Sequence, residues 1–274
     1  MALAGGPPQR DAETVLQKLI RHLLPGSCLL CDSTLPAATE PDLCRFCLED
    51  LPWNGPACLR CAHPLEPDES PPADGGGAVC GRCRQQPPPF TRAVAPLLYD
   101  GFPRLWIGRL KDHLGMVEGR VLGTLLADAA EQAYGRFGGS LSRPELLIPV
   151  PLTLRRLARR GHNQALTLAR PVASRLEIPV ARLVAERRHP GRRQRGASRL
   201  QRLENPAGTF ACRRRWSDGP CIALVDDVMT TGATASELTR VLLEAGAREV
   251  HVLCAARTPL VGRARGTISA STSI

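Results

Sequence analysis

From residue 90 onward, the apolar positions follow two alternating periods. Short apolar runs predict buried strands at 93–99, 146–150, 180–185, 221–225 and 249–255. Between them, apolar residues recur every three or four positions and predict helices at 103–113, 117–134, 152–176 and 235–245. The 152–176 helix contains Gly161 and Pro171, which predict breaks. Strands alternating with helices are typical of a mostly parallel sheet covered on both faces, so we predict an α/β domain over residues 90–260.

Residues 1–89 lack this alternation. One short amphipathic helix with Asp11 as a cap is predicted within an N-terminal extension, residues 1–27, from Val15, Leu16, Leu19, Ile20, Leu23 and Leu24. A Pro-, Gly- and acid-rich insertion covers 64–78, and the proline-rich joint at 85–89 marks the domain boundary. Residues 261–274 are predicted to form a flexible tail. No stretch is apolar enough for a membrane span and no signal peptide is evident, so we expect a cytoplasmic protein.

The charge balance favours an anionic partner. The chain has 36 basic against 26 acidic residues, a net charge of +10, and Lys18 and Lys111 are its only lysines. A GC-rich genome accounts for an arginine bias, but the guanidinium fork also matches phosphate oxygens. Charge alone leaves a small polyphosphate and a nucleic acid equally open as partners.

Eight cysteines form four C-x-x-C pairs within residues 28–83: Cys28/Cys31, Cys44/Cys47, Cys58/Cys61 and Cys80/Cys83. Two residues between thiolates allow both sulfurs to reach one tetrahedral ion, and two such knuckles complete a four-sulfur zinc site. The simplest assignment is two consecutive structural zinc ribbons over residues 28–89, one closed by the first four cysteines and one by the last four. Disulfides, an iron–sulfur cluster and a redox pair are the weaker alternatives.

The stretch 222–234 combines an apolar strand, two carboxylates, a loop of small residues and a helix. A loop that enters a helix at the carboxyl end of a strand presents N–H groups and a positive dipole end, which suits a phosphate. Asp226 and Asp227 would repel a phosphate but suit the hydroxyl groups of an adjoining ribose. The alternative is an ordinary capped helix, although two aspartates and three threonines exceed what a cap needs.

Residues 225–234 resemble the phosphoribosyl pyrophosphate (PRPP) signature of type I phosphoribosyltransferases. Together with the four knuckles, Leu110-Lys111, 148–151, 159–164 and the stretch from Gln194 to Phe210, they resemble the ComF family, including GntX-like proteins. This resemblance implies an α/β fold with a mostly parallel sheet of the type I phosphoribosyltransferase type, preceded by an N-terminal double zinc ribbon.

The resemblance also implies roles for individual residues. Asp226 and Asp227 would hold the ribose hydroxyls of PRPP and serve catalysis, while Thr230, Thr231, Gly232, Ala233 and Thr234 would cradle its 5-phosphate. The loop from Pro151 to Arg155 corresponds to the pyrophosphate loop, and Mg²⁺ would arrive bound to pyrophosphate oxygens. The remaining substrate-binding residues implied by the family pattern are Lys111, Arg159, Arg160, Asn163, Gln164, Gln194 and Arg202.

Two functions of different class remain open. The protein is either a phosphoribosyltransferase with an unidentified acceptor, or a non-catalytic PRPP- or nucleotide-sensing or DNA-handling accessory protein, as the family's link to competence and DNA uptake implies. No acceptor site or general base is identifiable. The arginines of 187–202 fit a lid over pyrophosphate, a surface for a nucleic acid or protein partner, or a solvated loop. The oligomeric state is left open.

Overall fold

The computed structural model describes residues 26–37, 39–65, 78–112, 115–135, 142–187 and 208–259. The predicted N-terminal helix, most of the 64–78 insertion, the loop at 188–202 and the tail lie outside these residues. Among the described residues, no helix combines the length and apolar character that crossing a bilayer requires.

The cysteine-rich segment contains little regular structure. Strands β1 (Gly26–Ser27) and β2 (Thr34–Leu35) form an antiparallel hairpin. Helix α1 (Arg45–Glu49) begins directly after Cys44, whose sulfur accepts a hydrogen bond from the backbone N–H of Cys47. Helix α2 (Gly81–Gln85) begins directly after Cys80, which makes no side-chain cap bond. Each short helix therefore starts inside a C-x-x-C pair, which brings its second cysteine back toward the first.

The chain from Arg92 to Arg257 contains a parallel sheet. Its strands are β3 (Arg92–Val94), β4 (Leu97–Leu98), β5 (Leu146–Pro149), β8 (Cys221–Met229) and β9 (Glu249–Arg257). β9 pairs with β3 and β4 on one side and with β8 on the other, and β8 pairs with β5. All of these pairings are parallel, so the carboxyl ends of β5, β8 and β9 lie at one edge.

Helices cover both faces of this sheet. The helices are α3 (Gly101–Lys111), α4 (Met116–Tyr134), α5 (Leu154–Arg160), α6 (Gln164–Leu176) and α7 (Ala233–Glu244). Alternate residues of β8 point to opposite faces. Ala223 and Val225 pack in the core that α4 and α6 help to build, whereas Ile222 and Leu224 pack with the apolar residues of α7. This alternation also sends neighbouring side chains at the end of β8 to opposite faces.

Some predicted elements differ from the structure. The 93–99 strand is divided into β3 and β4, and the 152–176 helix breaks at Gly161, where φ is +64°, but continues through Pro171. The prediction of a strand at 180–185 is wrong, because Val180 makes a single parallel bridge to Leu147 and Leu183 is 77% exposed. The chain instead forms a short antiparallel hairpin from β6 (Ala185–Arg187) and β7 (Phe210–Cys212).

The cysteine-rich segment is packed against the sheet. Cys28, Leu35, Leu43 and Leu51 are buried in the same core as Leu97, Trp106 and other residues of the α/β region. The link between the two halves of the segment runs along β4, since Leu98 N–H donates to the Pro52 carbonyl at 2.8 Å. The ribbons and the sheet therefore share a hydrophobic core.

Candidate functional site

The eight predicted cysteine ligands gather into two separate tetrads. The ligand atoms within each tetrad lie within 4.8 Å of one another, and the tetrads are Cys28, Cys31, Cys44, Cys47 and Cys58, Cys61, Cys80, Cys83. Consecutive knuckles are therefore paired, as the simplest assignment from sequence predicts. All eight are free cysteines.

The spacing of the sulfurs fits a zinc ion. The Sγ atoms of Cys31 and Cys44 are 3.7 Å apart, and those of Cys61 and Cys80 are 3.8 Å apart. A tetrahedron with zinc–sulfur bonds of about 2.3 Å has an edge of about 3.8 Å, whereas a disulfide needs about 2.05 Å. Backbone N–H groups also point at sulfurs, as in the 3.3 Å contact from Cys80 N–H to Cys58 Sγ. Both tetrads thus have the form of structural, four-thiolate zinc sites.

The acidic pair lies at the carboxyl end of β8. Asp226 and Asp227 continue the strand, which runs on to Met229, so the strand is four residues longer than the predicted 221–225. The strand pleat sends the two carboxyls to opposite faces. Asp227 is buried, and its Oδ2 lies 3.0 Å from Lys111 Nζ and 3.3 Å from Gln164 Nε2. Three predicted site residues from three different elements therefore meet at one carboxylate.

Gln164 has a further unused acceptor. The residue is 5% exposed, and its Oε1 is buried with no hydrogen-bond partner among the described residues. A buried polar atom without a partner costs free energy unless a ligand or water satisfies it. This orphan acceptor lies beside Asp227, where the ribose hydroxyls are expected.

Asp226 is placed in a different environment. The residue as a whole is partly exposed, whereas burial desolvates its carboxyl group. This desolvation, followed by repulsion from Asp227, raises the pKa of Asp226 from its ordinary 3.8 to about 8, and the nearby Lys111 opposes the shift only in part. A carboxyl that loses its proton near neutral pH is typical of ligand and catalytic sites.

The predicted phosphate loop joins β8 to α7 directly. Thr230 and Thr231 are exposed, and Gly232 caps α7 with φ at +81°, a left-handed conformation that favours glycine. The Thr231 hydroxyl accepts a hydrogen bond from the Ala233 N–H at 3.3 Å. The remaining N–H groups of the first turn, including that of Thr234, have no partner within the helix, so they form a ready anion site.

The predicted pyrophosphate region follows β5. Thr153 caps α5 by accepting from the Arg156 N–H at 3.3 Å, and Asn163 caps α6 while its Nδ2 donates to the Val150 carbonyl at 3.1 Å. Desolvation lowers the pKa of Arg160. The negative charge of Asp227 opposes this shift, so the guanidinium of Arg160 lies close enough to interact with that carboxylate. Pro151 is half-buried at the start of this loop, and Arg159 is exposed on α5.

Arg155 stands apart from this cluster. Within the described chain, no hydrogen bond or ion pair joins Arg155 to either aspartate, whereas the charge of its neighbour Arg156 is felt by both Arg160 and Arg187. Gln194 and Arg202 lie outside the described residues. The structure therefore adds Arg156 to the candidate arginines.

Sequence reasoning named Arg187 only as one of the arginines of 187–202, and it did not identify the role of His162. Arg187 ends β6, stacks over Phe210 at 5.3 Å and has a pKa that desolvation lowers and Asp226 raises. His162 is half-buried, with ring nitrogens 2.9 Å from the Arg160 carbonyl and 2.8 Å from the Leu110 carbonyl. It thus links the α5–α6 turn to the end of α3, next to Lys111. Neither contact is visible in a local sequence pattern.

A third cluster lies nearer the opposite edge of the sheet. The ligand atoms of Cys221, Glu249 and His251 fall within 4.8 Å of one another. However, the imidazole of His251 already has partners at both nitrogens, at 2.9 Å from the Tyr134 hydroxyl and 3.0 Å from Glu249. The histidine is therefore satisfied as a packing residue.

Comparison with known proteins agrees with this architecture. The double zinc ribbon domain matches residues 19–84, and the phosphoribosyl transferase domain matches residues 162–263. The chain is 32% identical over 244 residues to "DNA utilization protein YhgH" of Salmonella typhimurium, covering 86% of this chain and 98% of that protein. The chain belongs to the ComF family. A second ComF-family relative is "Competence protein F" of Haemophilus influenzae, which is 31% identical over 84% of this chain and 96% of its own length.

The family assignment confirms the predicted fold class. The ComF-family chain has a parallel-dominated sheet of the phosphoribosyltransferase type and an N-terminal double zinc ribbon. Among solved structures, the purine phosphoribosyltransferase of Pyrococcus horikoshii is similar, with a TM-score of 0.31, 16% identity, and coverage of 59% of this chain and 80% of that one.

Proposed function

We propose that this ComF-family protein binds PRPP, with Mg²⁺, at the turn between β8 and α7. The main observation behind this proposal is that the two aspartates, the turn and helix α7 follow one another along the chain. Asp226 and Asp227 lie near the carboxyl end of the buried parallel strand β8, and a glycine-capped turn leads from the end of that strand into the 12-residue helix α7. Ribose hydroxyls and a 5-phosphate are adjacent on the ligand in the same order.

The charges around Asp227 support the placement of the ribose and pyrophosphate. Lys111, Gln164 and Arg160 converge on the acidic pair from α3, α6 and α5. Carboxylates here would accept the hydroxyl groups, Gln164 Oε1 would gain a donor, and the cations would face the pyrophosphate. The 5-phosphate would lie on the N–H groups that begin α7.

Mg²⁺ is expected to bind together with PRPP rather than to the protein alone. Mg²⁺ keeps several waters and is usually bound through phosphate oxygens and one or two carboxylates, and Asp226 and Asp227 are the carboxylates at this site. When bound, Mg²⁺ would neutralise charge on the departing pyrophosphate. Arg156, Arg159 and Arg160 on α5 would supply the protein's own positive charge on the same side.

Pentosyl transfer to an acceptor is the first use we propose for this site. A nitrogenous acceptor would replace pyrophosphate at the anomeric carbon, and an aspartate of the pair would oppose the positive charge that grows on the ribose. A second candidate is a PRPP- or nucleotide-sensing, DNA-handling role, favoured by the names of the relatives and by the exposed arginines of α5. In that case, a nucleic acid backbone would contact the basic surface.

Calorimetry on the purified protein tests the proposal. Titration with Mg–PRPP is expected to give saturable heat in the wild type and none in the Asp226→Asn/Asp227→Asn variant. Absence of heat in the wild type would overturn both the transferase and the sensor. If the protein binds PRPP but releases no pyrophosphate with any of a panel of nitrogenous bases, the sensor is favoured. DNA binding is measured separately. An affinity for DNA that falls steeply with salt, and does so equally in the double variant, would reveal a separate basic surface.

The proposal includes a domain organisation and a location. We propose ribbons at 28–89 and a phosphoribosyltransferase-like unit at 90–260, with an extension at 1–27 and a tail at 261–274. Because four-thiolate zinc sites need reduced cysteines, we place the protein in the cytoplasm.

A further inference from the structure

Arg257, the last residue of β9, connects the second cysteine tetrad to the phosphate loop. The residue is 2% exposed. Its Nε donates to the Cys61 carbonyl at 2.9 Å, and its Nη1 donates to the Met229 carbonyl at 3.0 Å. Nη1 also donates to the carbonyls of Thr230 and Thr258. One buried side chain therefore touches a zinc knuckle, the entry of the phosphate loop and the segment that follows β9.

These bonds fix main-chain positions. A buried guanidinium is costly unless its N–H groups are bonded, and here the acceptors are carbonyl oxygens of three different segments. Met229 and Arg257 are also register partners across β8 and β9. Thr230, the first residue of the phosphate loop, is thus held by its carbonyl while its side chain is exposed.

The packing around Arg257 joins the same two parts. Ala62, Phe90 and Met229 belong to one buried apolar cluster, with Cys61 packed against it. A Cβ atom at Gly232 would lie 3.6 Å from Met229 Sδ and 3.8 Å from Phe90 Cζ, so the phosphate loop rests on this cluster. The knuckle is also tied to the sheet edge, because the Leu59 carbonyl accepts from the Ala93 N–H at 3.3 Å.

We propose that the second cysteine tetrad, through Arg257, sets the conformation of the phosphate loop at 230–234. Arg257 is a positioning residue, since it reaches the loop through main-chain carbonyls. The ligand consequence rests on the proposed PRPP function, whereas the conformational consequence does not.

The two tetrads are expected to differ in their effect on the phosphate loop. With zinc bound, four sulfurs hold the Cys58–Cys61 knuckle and so hold the Cys61 carbonyl. Without zinc, the knuckle is no longer cross-linked, and Arg257 loses a fixed acceptor while still bonded to Met229 and Thr230. The first tetrad packs instead in the core with Leu97 and Trp106. Loss of the first zinc should therefore leave the phosphate loop in place.

Hydrogen exchange of the peptide covering 229–236 tests the inference without any ligand. The proteins are the wild type, Arg257→Lys, Cys83→Ser in the second tetrad and the matched control Cys31→Ser in the first, with zinc content measured for each. Lysine keeps the charge but not the fork that reaches Cys61 and Met229 together. Exchange is expected to be about tenfold faster in Arg257→Lys and Cys83→Ser, as loss of one buried hydrogen bond implies, and unchanged in Cys31→Ser.

The outcomes separate this inference from the proposed function. A wild-type exchange rate in either Arg257→Lys or Cys83→Ser would overturn it, as would equal acceleration in Cys31→Ser and Cys83→Ser. If Arg257→Lys does not fold, the two cysteine variants decide. If Cys83→Ser does not fold, Arg257→Lys with two zinc ions retained decides.

Calorimetry with Mg–PRPP on the same proteins should show about tenfold weaker binding wherever exchange accelerates. Accelerated exchange with no heat in the wild type would reject the PRPP function and keep the inference.

Discussion

Lys111 Nζ lies 3.0 Å from Asp227 Oδ2, which joins the last residue of α3 to the end of β8 across 116 positions of sequence. Asp227 is buried, and Lys111 keeps 29% of its side chain exposed. The cation therefore stabilises the ligand-free site from its rim, where it would also meet an incoming polyphosphate.

Replacing Lys111 with methionine should destabilise the protein. Among the described residues, the substitution leaves the buried Asp227 carboxylate with Gln164 as its one side-chain hydrogen-bond partner, so we expect a loss of about 1–3 kcal/mol in the free energy of unfolding. Denaturant unfolding measures the change, and Arg104→Met removes an exposed cation from the same helix as the control. Equal stability of the two variants would show that the pair contributes nothing.

Asp226→Asn should stabilise the protein at neutral and alkaline pH. The pKa of Asp226 is raised from 3.8 to about 8, so the folded state holds this proton more tightly than the unfolded chain. Stability is therefore lost as pH rises from about 3.8 to about 8, and asparagine removes that loss. We expect a gain of about 1–3 kcal/mol at pH 8 and almost none at pH 4. Thermal unfolding at both pH values checks the prediction, and a gain that does not grow with pH would contradict it.

Local patterns were sufficient for two parts of the candidate site. The C-x-x-C pairs and the strand–loop–helix at 222–234 each depend on neighbouring residues, so spacing alone predicts both. The two cysteine tetrads and the turn that joins β8 to α7 confirm the local structure predicted for these stretches. The end of β8 was predicted too early because Asp226 and Asp227 are polar, although their pairing with β9 continues the strand.

Long-range contacts were not predictable in this way. Arg257 lies 196 positions from Cys61, and the contact depends on how the ribbon packs on the sheet. The strand predicted at 180–185 was wrong for a related reason, since an apolar run does not show whether a partner strand lies beside it. Arg156, rather than Arg155, is the arginine whose charge is felt by Arg160 and Arg187, and the sequence after the Thr153 cap does not distinguish between these two neighbours.

Metal analysis should find two zinc ions per chain, because the sulfurs form two tetrads. Cys47→Ser is expected to lower the content to one and leave the second tetrad loaded. Elemental analysis of wild type and variant decides the point, with Cys212→Ser as a control outside both tetrads. Iron with a visible absorption band would show that the tetrads hold a cluster instead.

Gly232→Ala should weaken the phosphate site through the backbone. Gly232 has φ at +81°, and its Cβ would meet atoms only at ordinary contact distance, so the cost of about 1–2 kcal/mol is conformational. The loop can escape this cost only by changing shape, so Mg–PRPP affinity should fall about tenfold. Gly108→Ala is the control, because its position in α3 is open and alanine there favours the helix. Wild-type affinity in Gly232→Ala would exclude a role for this turn.

Tyr134→Phe should lower stability without affecting the phosphate site. The Tyr134 hydroxyl is 2.9 Å from His251 Nδ1, and the rings stack with centroids 5.4 Å apart. Burial lowers the pKa of His251, so the neutral ring depends on its hydrogen bonds, and losing this one should cost about 1–3 kcal/mol. Tyr99→Phe is the control, since the Tyr99 hydroxyl has no hydrogen bond to the described residues. If Tyr134→Phe is as stable as Tyr99→Phe, this hydrogen bond does not stabilise the cluster of Cys221, Glu249 and His251. Zinc analysis of Tyr134→Phe would then show whether a metal ion stabilises the cluster instead.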